Sequence, residues 1–198
     1  MYRLLESIRC ERGELKNLPF HQARMDNSAR QLFSKENTIR LEKIVVPEHC
    51  RRGLYKCRVV YSETIESVEF IPYQFPKIKT LQLVFSDEIE YAYKFANRLA
   101  LNALFEKRQN CDEILIVKNG LVTDTSLANI IFFNGKNWLT PALPLLKGTQ
   151  RAKLLAEEKI VTADIRPADL KNFRKVRLIN AMMRFEDERD VEIEKITI

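Results

Sequence analysis

Glycine is scarce in this chain of 198 residues, with five in all, at Gly13, Gly53, Gly120, Gly135 and Gly148. That scarcity excludes collagen and flexible linkers. With no GxGxxG or GxxxxGK[ST] spacing, it also excludes a glycine-rich nucleotide loop. Histidine is scarcer still, since His21 and His49 stand alone and far apart. The four cysteines, Cys10, Cys50, Cys57 and Cys111, show no C-x-x-C spacing. Neither a metal site nor a disulfide framework is expected from such a set. No apolar run approaches the roughly 18 residues of a membrane span, and the opening Met1-Tyr2-Arg3-Leu4-Leu5-Glu6 has no signal-peptide pattern. The expectation is a cytoplasmic protein with no membrane partner. A large excess of one charge is missing too: 33 Lys and Arg face 27 Asp and Glu, a net of +6. The excess is spread along the chain, which suits an anionic small molecule and gives no reason to expect a nucleic-acid partner.

What is present is an ordinary globular composition, 45% hydrophobic and 30% charged, with room for one domain or two small ones at roughly 100 to 200 residues each. The pattern predicts an α/β (α+β) protein. Residues 2–10 are rich in strand formers, Gly13 turns the chain, and Phe20, Ala23, Ala29, Leu32 and Phe33 give a loose helical repeat. Strands are predicted at 54–61, 68–73 and 78–85, making the first half a small antiparallel unit. The acidic stretch 86–92 reads as a linker, so the expected domains are 1–85 and 86–198. A helix is predicted from Tyr93 to Lys107, with Lys94 in its first turn. Strands follow at 113–117, 129–133 and 138–140, with Asn119-Gly120 and Asn134-Gly135 as hairpin turns. Gly148-Thr149 opens a helix to about residue 159, Pro167 starts another, and 176–180 is a strand.

Four polar groups could carry chemistry. They are His21-Gln22-Ala23-Arg24 on the first helix, Lys94, the polar strand end Asp124-Thr125-Ser126-Leu127-Ala128-Asn129, and Gly148-Thr149-Gln150-Arg151 at a helix N-terminus. At the last of these, free N–H groups, a hydroxyl and a guanidinium suit a phosphate. Taken one at a time, each also reads as a solvated face, turn chemistry or ordinary capping.

In this order, however, the four resemble the class IV aminotransferases, pyridoxal-phosphate enzymes of fold type IV. Leu5-Glu6-Ser7-Ile8-Arg9, Gly13 and His21-x-x-Arg24-x-x-x-Ser28 resemble the family block F-E-T-I-R … G … H-x-x-R-L-x-x-S. Lys94-Phe95-Ala96-Asn97-Arg98-Leu99 resembles K-x-x-N-R-L around the Schiff-base lysine. Asp124 to Ile130 stands where the family has E-x-[ST]-x-x-N-[apolar], and Leu146 to Arg151 resembles L-x-G-[ILVT]-x-R. Ile179-Asn180-Ala181 stands in the place of T-N-S. The family's Y-G-D-G turn ahead of the first block has no counterpart in this sequence.

The resemblance implies two domains, a small α+β one and a larger one carrying the lysine, in a homodimer with pyridoxal 5'-phosphate as cofactor. Lys94 would be the catalytic residue, forming the imine and moving the proton. Arg24, the Gly148-Thr149 turn and the Asn180-Ala181 backbone would hold the phosphate. Asp124, one methylene shorter than the family's Glu, would face the ring nitrogen, with Ser126 and Asn129 in the same block. The activity implied is amino transfer between an amino acid and a 2-oxo acid. The alternatives are pyruvate elimination from 4-amino-4-deoxychorismate to give 4-aminobenzoate, and cofactor binding with little activity.

Overall fold

The first strand, β1 (Leu4–Glu11), turns Leu4, Glu6, Ile8 and Cys10 to one face, and all four are buried. It lies in an antiparallel sheet of order β2-β1-β3-β4, completed by β2 (Glu14–Leu15), β3 (Leu54–Tyr61) and β4 (Ile65–Pro72). The structure is a computed structural model that describes residues 2–197. Arg12 and Gly13, at φ 53° and 79°, make the two-residue turn into β2, a backbone that a right-twisted hairpin favours and glycine adopts freely.

Helix α1 (Leu18–Phe33) has proline in its first turn, where no intrahelical N–H is needed. It buries His21, Met25, Ser28 and Ala29, a spacing of three and four that marks one face. Met25 packs with Leu4, Ile8, Leu41, Cys57 and Val59 in the core of this unit. Cys10, Cys50 and Cys57 are free and buried. Burial pushes the Cys57 thiol up to about 12, so it stays protonated and serves as a small apolar side chain.

Residues up to Phe75, together with Tyr93–Asn97, form this first unit, and Pro76–Ala92 with the chain from Arg98 onward forms a second. The second unit holds two mixed sheets. One has the order β13-β5-β6-β7, from β5 (Leu81–Phe85), β6 (Glu113–Lys118), β7 (Leu121–Val122) and β13 (Ile196–Thr197), with helix α2 (Leu99–Phe105) between β5 and β6 in the chain. The other has the order β10-β9-β8-β11-β12, from β8 (Asn129–Phe133), β9 (Trp138–Pro141), β10 (Val161–Ala163), β11 (Lys175–Ile179) and β12 (Asp190–Glu192). Helix α3 (Thr149–Ala156) places Leu154 in a core with Ile131, Ile160 and Ile179. Asn119 and Gly120, at φ 51° and 75°, form the expected turn between β6 and β7.

Three features depart from the sequence reading. The division falls at Phe75/Pro76 instead of near residue 86, because β5 pairs in parallel with β6 and not with the first sheet. Its first four residues, Leu81 to Val84, are all buried, as suits a strand covered on both faces. The helix expected from Tyr93 begins only at Leu99. Tyr93 and Phe95, read there as helical positions, instead pack against the first unit's core, and Phe95 makes an antiparallel bridge to Leu4. Their spacing of two is a strand's period. Among the described residues no helix is long and apolar enough to cross a membrane.

Candidate functional site

The first unit contributes a buried charge network. Glu6 stands on the inner face of β1 between Leu4 and Ile8, with 0% exposure, where an unpartnered carboxylate would be prohibitively desolvated. One turn of α1 meets that demand. Arg24 grips the carboxylate with both arms, Nε to Oε1 at 2.9 Å and Nη2 to Oε2 at 2.5 Å, and His21 donates from Nδ1 to Oε2 at 2.6 Å. Residues three apart on a helix share a face, so H-x-x-R delivers both groups to one acceptor. Burial pushes Glu6 up, but the Arg24 charge and the His21 hydrogen bond outweigh it and hold the carboxyl at about 2. Burial pushes His21 below its ordinary value, against the pull of Glu6, leaving a neutral ring that acts as a donor. Arg24 is thus first the counter-ion of Glu6. The Glu6 grip also fixes the plane of its guanidinium.

Lys94 lies in the short segment that returns to this unit. Its carbonyl accepts the Leu5 N–H at 2.9 Å, and Ala96 donates to Arg3 O at 2.9 Å. Since β3 pairs along the whole of β1, this segment occupies the edge that β2 takes at the far end. Lys94 is half-buried beside the Leu5–Glu6 stretch, and its charge helps keep His21 unprotonated.

The second unit gathers Asp124, Asn129 and Gly148. Asn129 Nδ2 donates to Asp124 Oδ1 and to Leu146 O, both at 2.8 Å, and Leu146 N donates to Asp124 Oδ2 at 2.9 Å. Asp124 and Asn129 are also bridged antiparallel across a tight turn in which Thr125 N donates to Ala128 O. Gly148 is required by close approach, because a Cβ there would lie 1.9 Å from Asn129 Oδ1. Burial pushes Asp124 up to about 6, against the Leu146, Asn129 and Leu145 donors and the Arg151 charge. Thr149, also buried, starts α3, whose N-terminus has Gly148 as cap and no side-chain capping bond. Arg151 turns inward, donating from Nε to Thr140 Oγ1 and from Nη2 to Pro141 O.

Ser126 gives its hydroxyl proton to Glu113 at 2.9 Å, so toward any ligand it can only accept. Asn180 holds the turn after β11, its Oδ1 accepting from Met182 N and Met183 N, and its Nδ2 reaches Leu127 O at 3.2 Å. Ala181, in that turn, is half-buried. Arg24 and Lys94 therefore belong to the first unit, and Asp124, Ser126, Asn129, Gly148, Thr149, Asn180 and Ala181 to the second. Sequence reasoning gave no role to Glu6, Arg98 or Glu113. A charged residue at an inward strand position was the available signal for Glu6.

The groups of the second unit, taken by themselves, suit the ring nitrogen and the phosphate of pyridoxal phosphate. The two Asp124 oxygens offer roughly four lone-pair sites, and neutral N–H donors take three of them, so a ring N–H can be accepted as well. The α3 N-terminus, free of a side-chain cap, suits a phosphate. Among the described residues no cluster of His, Cys, Asp or Glu could hold a metal ion.

A mixed α/β chain carrying this lysine, this buried carboxylate–asparagine pair and this glycine-led helix defines a class that comparison with known proteins identifies. Residues 3–185 match the model of amino-transferase class IV, and the chain belongs to that family. An uncharacterised protein of Haemophilus influenzae is 41% identical over 187 residues, covering 92% of this chain and 98% of the relative. The crystal structure of a candidate 4-amino-4-deoxychorismate lyase from Haemophilus somnus 129PT is 39% identical with a TM-score of 0.87, covering 93% of this chain and 98% of that one. A candidate amino-acid aminotransferase from Mesorhizobium loti shares the fold at 20% identity and a TM-score of 0.80, with coverage of 93% and 97%.

Proposed function

We propose that this protein is a pyridoxal-phosphate-dependent lyase that acts on 4-amino-4-deoxychorismate. The observation that carries the reading is the Haemophilus somnus structure, alike in sequence and fold over nearly the whole of both chains. When bound, pyridoxal phosphate supplies an aldehyde that joins an amine and a ring that withdraws electrons from the adjacent carbon. Lys94 would hold the aldehyde, Asp124 the ring N–H, and the α3 N-terminus with Arg24 the phosphate. The Lys94 amine then takes the proton from the amine-bearing carbon of the substrate. The C–O bond to the enolpyruvyl group breaks, the leaving enolpyruvate takes up a proton at its methylene carbon to become pyruvate, and the remaining ring is aromatic 4-aminobenzoate.

Elimination sends the electron pair out with the leaving group, whereas amino transfer must keep it in the cofactor. The smaller demand on the ring nitrogen suits a short aspartate already engaged by Asn129 and Leu146. Amino transfer to a 2-oxo acid is the second reading, favoured by the family description itself.

The test is to mix cofactor-loaded protein with 4-amino-4-deoxychorismate, coupling pyruvate to lactate dehydrogenase and reading 4-aminobenzoate by fluorescence. Equal release of the two products is expected. Amino acids that bleach the cofactor's visible band while no pyruvate appears would establish amino transfer instead, and neither response would leave a cofactor-binding protein. Borohydride reduction and peptide mapping should place the pyridoxyl label on Lys94. A label on another of the sixteen lysines with Lys94 unmodified would overturn its assignment.

A further inference from the structure

Glu113 opens β6 with 0% exposure, immediately before buried Ile114, Leu115 and Ile116. Its carboxylate binds the adjacent Ile114 and, at a distance in the chain, Ser126. Oε1 accepts the Ser126 N–H at 3.3 Å along with the Ile114 N–H at 2.8 Å, and Oε2 accepts the Ser126 hydroxyl at 2.9 Å. Arg98 donates from Nη2 to the Ser126 carbonyl at 2.7 Å. The amide, hydroxyl and carbonyl of Ser126 are therefore all engaged, by two side chains of opposite charge.

Burial of Glu113 is costly, and an apolar residue would continue the strand without that cost. What the carboxylate does that an apolar side chain cannot is fix the turn between Asp124 and Asn129. Within that turn Thr125 bonds to the N–H or carbonyl groups of Leu127 and Ala128, Asn129 Nδ2 reaches back to Asp124, and Asn180 Nδ2 reaches Leu127 O. Three hydrogen bonds from two side chains outside the turn, Glu113 and Arg98, converge on Ser126.

We propose that Glu113 and Arg98 are positioning residues that lock Ser126 and thereby hold the Asp124 carboxylate and Asn129 amide in place for the ring nitrogen of the cofactor. The lock is a property of the chain alone, and only its purpose rests on the reading of Asp124 given above. Arg98 stands four residues after Lys94 in sequence, so the segment that carries the lysine leads directly into the residue that secures this turn.

The experiment compares the full chain with E113A, E113Q and R98A. Amide exchange over Ser126–Ala128 is measured without cofactor, and pyridoxal phosphate binding is titrated by visible absorbance. Exchange should accelerate about tenfold or more in E113A and R98A. In E113Q, which keeps an acceptor for the Ser126 N–H, exchange should stay within about twofold of the natural chain. Cofactor affinity should fall by about tenfold in the two loosened variants. R98A removes a half-exposed side chain and decides the matter should E113A fail to fold. Unchanged exchange in R98A, an E113Q protein as loose as E113A, or faster exchange with undiminished cofactor affinity each overturns the proposal. A natural chain that takes up no pyridoxal phosphate refutes the functional reading instead, and exchange still decides the lock.

Discussion

Replacing Glu6 with glutamine tests the buried network most sharply. Glu6 is held at about 2 against an ordinary 4.5, which at roughly 1.4 kcal/mol per pH unit makes its ionised form worth about 3 kcal/mol of stability. The geometry gives the same size. Arg24 Nη2 and His21 Nδ1 both donate to Oε2 while Arg24 Nε donates to Oε1. A glutamine can turn its carbonyl to one position only, and its amide then faces a donor at the other. Stranding a buried guanidinium in this way typically costs about 3 to 5 kcal/mol. Because the folded value is depressed, this stability is complete above the unfolded value of 4.5 and is lost as pH falls toward about 2.

The assay is urea unfolding of both proteins from pH 7 down to pH 2.5, with amide exchange on β1 and β3 reporting the first unit. Trp138, the only tryptophan, lies in the second unit, so its fluorescence is an internal control. Glu6→Gln should lower the stability of the first unit by about 3 kcal/mol at pH 7, and the gap should close as the natural chain protonates. Equal midpoints at pH 7, or a gap that stays constant to pH 2.5, would refute the reasoning.

Arg24→Ala should also destabilise the first unit by about 3 to 5 kcal/mol, because it leaves Glu6 charged and buried. The double variant with Glu6→Gln should recover part of that loss in a double-mutant cycle, whereas a role confined to phosphate would give no coupling. Gly148→Ala drives a methyl group into Asn129 Oδ1 and should cost about 1 to 3 kcal/mol, with weaker cofactor binding by absorbance titration. A fully stable, fully loaded Gly148→Ala protein would remove the close-approach argument.

Much of this architecture was legible because its cause is local. The alternation of β3, the Asn119-Gly120 turn and the apolar run of β8 each state their structure within a few residues. The family blocks also located Asp124, Asn129 and Gly148, which the structure does bring into one contact. What could not be read is set at long range. The parallel pairings of β5 with β6 and of β13 with β5 leave no local trace, so β5 looked like one more strand of the first sheet. Tyr93 and Phe95 satisfy a helical and a strand pattern equally in so short a segment, and the vacant edge of β1 beside Leu4 decides between them. Glu6 and Glu113 are charges at inward positions, which a pattern of burial can only read as errors until their partners are in view.

Glu6 and Asp124 show why position alone does not give role. Both are deeply buried carboxylates, yet one is held at about 2 and the other pushed up to about 6. The difference lies in the partners, since Glu6 has a guanidinium in direct contact, while Asp124 has the neutral N–H groups of Asn129 and Leu146 and a more distant Arg151. The sign of the pH response therefore reverses. For Asp124 the folded value lies above the unfolded 3.8, so its contribution is complete below pH 3.8 and is lost as pH rises to about 6, a change of about 3 kcal/mol. In Asp124→Asn the amide accepts from Leu146 but meets the Asn129 Nδ2, which is tied to Leu146 O, so at pH 4 the variant should be the weaker by about 1 to 3 kcal/mol. Between pH 4 and 7 it should regain about 3 kcal/mol relative to the natural chain. Urea unfolding followed by Trp138 fluorescence, without cofactor, reads the difference, and a gap between the two proteins that is the same at pH 4 and pH 7 would show that Asp124 does not titrate where its surroundings place it.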